Sequence, residues 1–240
     1  RLDSHQQRLW TETHSSSHRL FGPMKSLLFL AVLWLPLSFF VWFNFAQLWV
    51  QPIAEVSGAI MGRLFDGSFL RVDLEIHEIN FVFDIAHDGR VAELAFMVNP
   101  LIYGYCLPVL AGLVMATPLS GARRALQLFS GILVLLGVQI FGTVFDALKQ
   151  MGVKQPDALS MTAGSQGDAE MLRPFLDQVR EMTLSVVSPD VIAFGYQFGY
   201  LVLPAIVPVI LWVMFNQAFI RGLVTNEGSE LPDAGTEARD

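Results

Sequence analysis

Four uncharged apolar stretches, each near the length of a bilayer crossing, leave this chain little freedom in how it can fold. About 20 apolar residues in a helix cover the ~30 Å hydrocarbon core, and in lipid a spanning segment has to satisfy its own backbone polar groups. Leu27 to Val50, Asn99 to Leu119, Leu126 to Phe145 and Val191 to Phe215 contain no Asp, Glu, Lys, Arg or His. The chain is 53% hydrophobic and 15% charged, with a mean hydropathy of +0.48. That composition belongs to a polytopic membrane protein rather than a soluble domain.

Charge placement orients the runs. Arg19 and Lys25 precede the first, Arg123 and Arg124 separate the second from the third, and Arg221 follows the fourth. Basic residues of short loops stay on the cytoplasmic side, so both termini are expected there. Segment 51–98 holds Glu55, Asp66, Asp73, Glu75, Glu78, Asp84, Asp88 and Glu93 against Arg63, Arg71 and Arg90, as suits an extracytoplasmic region. The expected organisation is a cytoplasmic tail 1–24, a first span 25–50, an outer segment 51–98 and a second span 99–119. A basic loop 120–125, a third span 126–145, an outer loop 146–188, a fourth span 189–220 and an acidic cytoplasmic tail 221–240 follow. The first methionine is Met24, so a start there is one expectation for the native chain.

Two periodicities fill the outer segments. Leu70, Val72, Leu74 and Ile76 alternate with polar residues, and beyond His77-Glu78 the apolar parity moves to Ile79, Phe81, Phe83 and Ile85. Period two marks half-buried strands, and Asp88-Gly89 is a tight hairpin signal. A small antiparallel sheet of two or three strands is expected, preceded by an amphipathic helix over 55–65. Such a sheet has to bury its apolar face on something else, which makes Phe81 and Phe83 candidate partner contacts. In the second outer loop, Met171, Leu172, Phe175, Leu176, Val179, Met182, Thr183 and Val186 recur at helical spacing, giving a second amphipathic helix. The fold class is therefore an α-helical membrane protein of four spans, with a small extracytoplasmic β-hairpin layer and an extracytoplasmic amphipathic helix.

Composition excludes several chemistries. The net charge of −7 lies partly in Glu227, Glu230, Asp233, Glu237 and Asp240, a solvated tail. One cysteine forms no internal disulfide, no basic aromatic surface grips nucleic acid, and no Gly-rich loop binds a nucleotide cofactor. His77, Glu78, Asp84, His87 and Asp88 surround a hairpin and read as a solvated face, so no metal and no cofactor is expected. Cys106 is the one candidate nucleophile, but a thiolate needs a base or cation beside it, and the spans contain none. No catalytic residue is assigned.

Gly104-Tyr105-Cys106-Leu107-Pro108 and Gly199-Tyr200-Leu201-Val202-Leu203-Pro204 look like one device used twice, so the two halves read either as parallel repeats or as the ordinary gathering of aromatics and proline near helix ends. Either way Tyr103, Tyr105, Tyr196 and Tyr200 are expected in the outer half of the membrane. Asn99, Gln139 and Gln197 are the amides available to their hydroxyls. These seven residues form a candidate pocket for a lipid or isoprenoid.

Trp34-Leu-Pro-Leu-Ser-Phe-Phe-Val-Trp42, Asn99-Pro-Leu-Ile-Tyr-Gly-Tyr, Gln139, and Tyr196-Gln-Phe-Gly-Tyr with Leu203-Pro204 resemble the exosortase H-associated membrane proteins of Gram-negative bacteria, over about residues 25–220. The resemblance implies an inner-membrane accessory of an exosortase, a membrane enzyme that processes C-terminal sorting signals. It brings no catalytic residues to carry over. Exosortases pair a membrane cysteine with arginine and often histidine within their spans, and this chain lacks that pairing. The leading reading is a non-catalytic accessory or scaffold that lies in the lipid bilayer and presents its outer surface to an exosortase-like enzyme or its substrate. The alternatives are a cysteine-dependent transpeptidase or hydrolase using Cys106, and a binder of lipid or isoprenoid.

Overall fold

The computed structural model describes residues 23–153 and 166–228. Outside the described residues lie segments 1–22, 154–165 and 229–240, and with them most of both expected tails and part of the expected outer loop 146–188. Helix α1 (Pro23–Phe45) is followed by α2 (Gln47–Leu64), then by β1 (Phe69–Glu75), β2 (Glu78–His87) and β3 (Arg90–Val98). A 3-10 turn (Pro100–Tyr103) leads into α3 (Cys106–Ala116), and α4 runs over Gly121–Gly152. Helices α5 (Gln166–Val186) and α6 (Pro189–Gln197), a π turn (Phe198–Val202), α7 (Leu203–Phe215) and α8 (Gln217–Gly228) complete the order.

Among the described residues three helical segments are long and apolar enough to cross a membrane: Ser26–Phe45, Gly121–Gly152 and Pro189–Phe215. The apolar segment Pro100–Ala116 is shorter, because its first turn is 3-10 and its α-helix stops where Thr117 turns extended before Pro118. Three boundaries differ from those expected. The first helix breaks at Ala46, and Gln47 to Val50 open α2, which buries Val50, Ile53, Ala54 and Met61. Their apolarity serves a protein core instead of lipid. Helix α4 continues past Phe145 to Gly152, and α8 extends helix into the expected tail as far as Gly228.

Strand order is β1-β2-β3, antiparallel throughout. Glu75 pairs with Glu78 and Leu74 with Ile79, so the two residues Ile76 and His77 make the first turn. A two-residue turn pairs odd positions with even ones, which is why the apolar parity changes there. The second turn repeats this, with His87 opposite Arg90. Asp88 and Gly89 both have positive φ, 48° and 74°, the primed geometry that matches strand twist.

One face of the sheet is buried through Ile79, Phe81, Phe83, Ile85, Leu94, Phe96 and Val98. Its cover comes from α2, from Val144, Ala147, Leu148 and Met151 of α4, and from Phe175, Leu176 and Val179 of α5. Phe81 and Phe83 are therefore core residues of this chain rather than partner contacts: the surface that a three-stranded sheet needs is supplied internally. Phe83 is the centre of this packing, edge-to-face with Phe65, Phe69 and Phe96 at centroid distances of 5.8, 5.4 and 5.9 Å.

Helix α4 joins this layer to the rest. At 1.5 Å per residue its 32 residues extend about 48 Å, against ~30 Å of hydrocarbon. Its overhang carries the buried stripe above, and Gln150 Nε2 donates to the Met97 carbonyl of β3 at 2.6 Å. At the opposite end Gln127 and Asn216 exchange amide hydrogen bonds of 3.1 and 3.2 Å between α4 and α7. Trp212 Nε1 donates to Thr117 Oγ1 at 2.8 Å. Helix α1 lies antiparallel to α3, with Leu35 against Gly112 and Trp42 against Gly104. The start of α1, the α3–α4 connection and the end of α7 thus share one end of the bundle, and the sheet occupies the other; Arg123 and Arg124, expected in a loop over 120–125, lie in the first turn of α4 at that end.

Candidate functional site

Proline chemistry brings the tyrosines together. Pro204 has no N–H to give the carbonyl four residues earlier, and that carbonyl, of Tyr200, accepts a hydrogen bond from the Tyr105 hydroxyl at 3.4 Å. The π turn at 198–202 adjoins this proline. Tyr103 meets Tyr200 edge-to-face at 6.2 Å, and Tyr196 stacks on Tyr200 at 5.8 Å. All four tyrosines form one layer between α3, α4 and the α6–α7 junction. The two Gly-Tyr-to-Pro motifs meet here in different local structures, one at a helix start and the other inside a π turn.

Close approach at two glycines sets this layer. A Cβ on Gly142 would stand 2.5 Å from Tyr103 Cδ1, and one on Gly199 would stand 3.1 Å from the Cα of Gly142. The Tyr103 ring therefore lies flat on α4. Its hydroxyl is buried and has the Asp146 carboxylate as its charged neighbour. Asp146 accepts from Lys149 Nζ at 3.3 Å, the two side chains being 10% and 16% exposed. The Lys149 ammonium also lies 3.4 Å from the centroid of the Tyr196 ring, a cation–π contact in a largely desolvated place.

The three amides are dispersed. Asn99 accepts from the Leu101 N–H at 3.0 Å and caps the 3-10 turn, and Gln197 is exposed. Gln139 is fully buried, donates weakly to the Leu135 carbonyl at 3.4 Å, and leaves its Oε1 without a partner. None of them hydrogen-bonds a tyrosine.

Cys106 is fully buried among Leu107, Leu110, Val114, Leu135 and Val138. Its thiol donates to the Tyr103 carbonyl at 3.3 Å. The loop histidines sit elsewhere. His87 is 3.2 Å from Gln178 of α5 and packs on Phe175, while His77 belongs to the turn at the other end of β2. At ~3.3 Å per residue, the length of β2 separates the two by about 30 Å, and among the described residues no three metal-ligating side chains gather.

A cavity lies on the other side of α3 from the tyrosine layer. A groove of about 410 Å³ runs between α1 and α4, lined by Trp34, Trp42, Trp49, Leu107, Ala111 and Ile132 among others. Asp146 and Lys149 escaped the sequence reading because they fall in the first turn past the third apolar run. Their i, i+3 spacing at the end of that run was the available signal. The tryptophans carried a signal as well, since Trp34 and Trp42, eight residues apart, stay on one face of α1.

On the sheet's exposed face, Arg71 reaches across β2. Its guanidinium donates to Asp73 at 3.0 Å and to Glu93 at 3.1 Å, and these carboxylates, Glu93 first, raise its pKa. Asp84 and Glu93 stand directly opposite one another on β2 and β3.

Apolar helices of membrane-crossing length, joined to a small antiparallel sheet by one long helix, define a polytopic membrane protein. The chain belongs to the exosortase H-associated membrane protein family, whose pattern matches residues 22–173 and 171–219. No curated protein and no solved structure matches it.

Proposed function

We propose that this protein is a non-catalytic accessory of an exosortase-type protein-sorting system, set in the bacterial inner membrane with four spans and both termini cytoplasmic. Family membership supports the association with exosortase. The short Pro100–Ala116 segment serves as the second span, and the basic end of the bundle is cytoplasmic. Its extracytoplasmic layer is the working surface. The observation that carries this reading is the way α4 fastens a polar-faced sheet to the bundle, through its buried overhang and the Gln150–Met97 hydrogen bond. A face held this way is presented in a fixed orientation.

The opposed carboxylates Asp84 and Glu93 point to the contact. Like charges directly opposite weaken a sheet; Arg71 offsets Glu93 within the chain, so Asp84 is the carboxylate that a basic partner surface would relieve. Co-purification of the exosortase with the protein tests this. Asp84→Lys combined with Glu93→Lys is expected to abolish it while membrane insertion and protein level stay normal. An undiminished complex would remove the sheet face from the proposal.

Cys106→Ala is expected to leave sorting intact, since the thiol is enclosed by aliphatic side chains and hydrogen-bonded to a carbonyl; the cysteine-dependent alternative forecasts the opposite. Loss of sorting with the exosortase complex still assembled would make Cys106 a catalytic residue.

A further inference from the structure

We propose that the tryptophan-lined groove between α1 and α4 is a binding site for one acyl chain of a bilayer glycerophospholipid, from the leaflet on the sheet side. This inference rests on the membrane placement of the helices and is independent of the accessory role.

Size narrows the occupant. The groove holds about 410 Å³, within the 300–1,000 Å³ range of small-molecule sites. A single hydrocarbon chain is of that scale. Length agrees, because the lining residues on α1 run from Trp34 to Phe45, about 16 Å at 1.5 Å per residue. That is about half of the ~30 Å core, or one leaflet.

Chemistry and position agree too. Among the lining side chains only Ser38 carries a hydroxyl, and the floor is Leu107, Pro108 and Ala111 of α3. Trp49 touches both the sheet-side core and the bundle core, which places it with Trp42 and Phe45 at the end of the groove nearest the sheet. Indole rings favour the headgroup level of a bilayer, so this end receives the polar end of the lipid. The groove persists because α1 is drawn onto α3 elsewhere: Leu35 fills the space beside Gly112, and Trp42 that beside Gly104. Ala111 leaves the floor unfilled.

The test uses the full chain in nanodiscs of phosphatidylethanolamine and phosphatidylglycerol, followed by native mass spectrometry after mild detergent release. One retained phospholipid per chain is expected. Ala111→Phe, which fills the floor, is expected to lose it, whereas Tyr105→Ala is expected to keep it. Ile132→Trp narrows the groove from α4 and serves if Ala111→Phe does not fold. Retention by both groove-filling variants, or no retained lipid in the unaltered chain, overturns the proposal. A second arm adds a polyprenyl phosphate to the nanodiscs, and its displacement of the phospholipid would reassign the groove to isoprenoid chains.

Discussion

Phe83→Ala is expected to destabilise the protein by about 3–5 kcal/mol, the range for removing a buried aromatic ring from a core that cannot collapse around the gap. Phe83 is fully buried and meets three other phenylalanine rings edge-to-face, contacts that add to the area it buries. The cavity would open between the sheet and α2, because Phe65 closes α2 while Phe69 and Phe96 belong to β1 and β3. Sheet and helix should loosen together. Unfolding followed by circular dichroism in detergent measures the loss, and limited trypsin digestion at Arg71 and Arg90 locates it. A fall below about 0.5 kcal/mol, the ordinary size of a surface change, would mean that the ring cluster contributes little to the sheet layer.

The second large effect is expected at Gly142. Gly142→Ala forces the Tyr103 ring away from α4, because its Cβ would be 2.5, 2.7 and 3.0 Å from three ring carbons. The ring has little room to retreat. Tyr103 is 1% exposed, Tyr200 stands against it, and Gly199 approaches Gly142 from α4's other neighbour. Overpacking of this kind costs about 1–3 kcal/mol. The same displacement should break the Tyr105–Tyr200 hydrogen bond, since both tyrosines flank the moved ring. Thermal unfolding in detergent reports the stability change, and tyrosine near-ultraviolet circular dichroism reports the layer. Unchanged values for both would show that α4 and the 3-10 turn part easily, against the packing described.

The strands and their turns were legible because period two and Asp88-Gly89 are local signals. A chain that must alternate along each strand and reverse at a primed turn has few ways to pair. The helix boundaries were less legible, for a physical reason: lipid and protein core both select apolar side chains. Gln47 to Val50 continue the hydropathy of α1 without a proline or glycine at Ala46, so nothing in the residues separates the side chains facing lipid from those facing the sheet. Beyond Phe145 the same ambiguity appears in reverse. Val144, Ala147, Leu148 and Met151 keep a helical stripe while Asp146 and Lys149 break the uncharged run, and a window scored on charge stops too early. Among the candidate site residues, the tyrosines converge, whereas the amides diverge because each follows the local backbone: Asn99 caps a turn and Gln197 faces outward. Which way a side chain points around a 3-10 or π turn is not carried by the spacing of residues on an ideal helix.

An uninterrupted α4 also makes the protein a lever. The helix has no proline and no break where it leaves the bundle, so it does not hinge there, and the sheet is fastened to its far end. A bilayer whose thickness changes is accommodated in part by helix tilt. With roughly 10 Å of helix beyond Phe145 on the sheet side, a tilt of about 10° sweeps the end of α4 through roughly 2 Å. In the proposed four-span arrangement, the height and angle at which the sheet meets its surroundings would follow the thickness of the membrane.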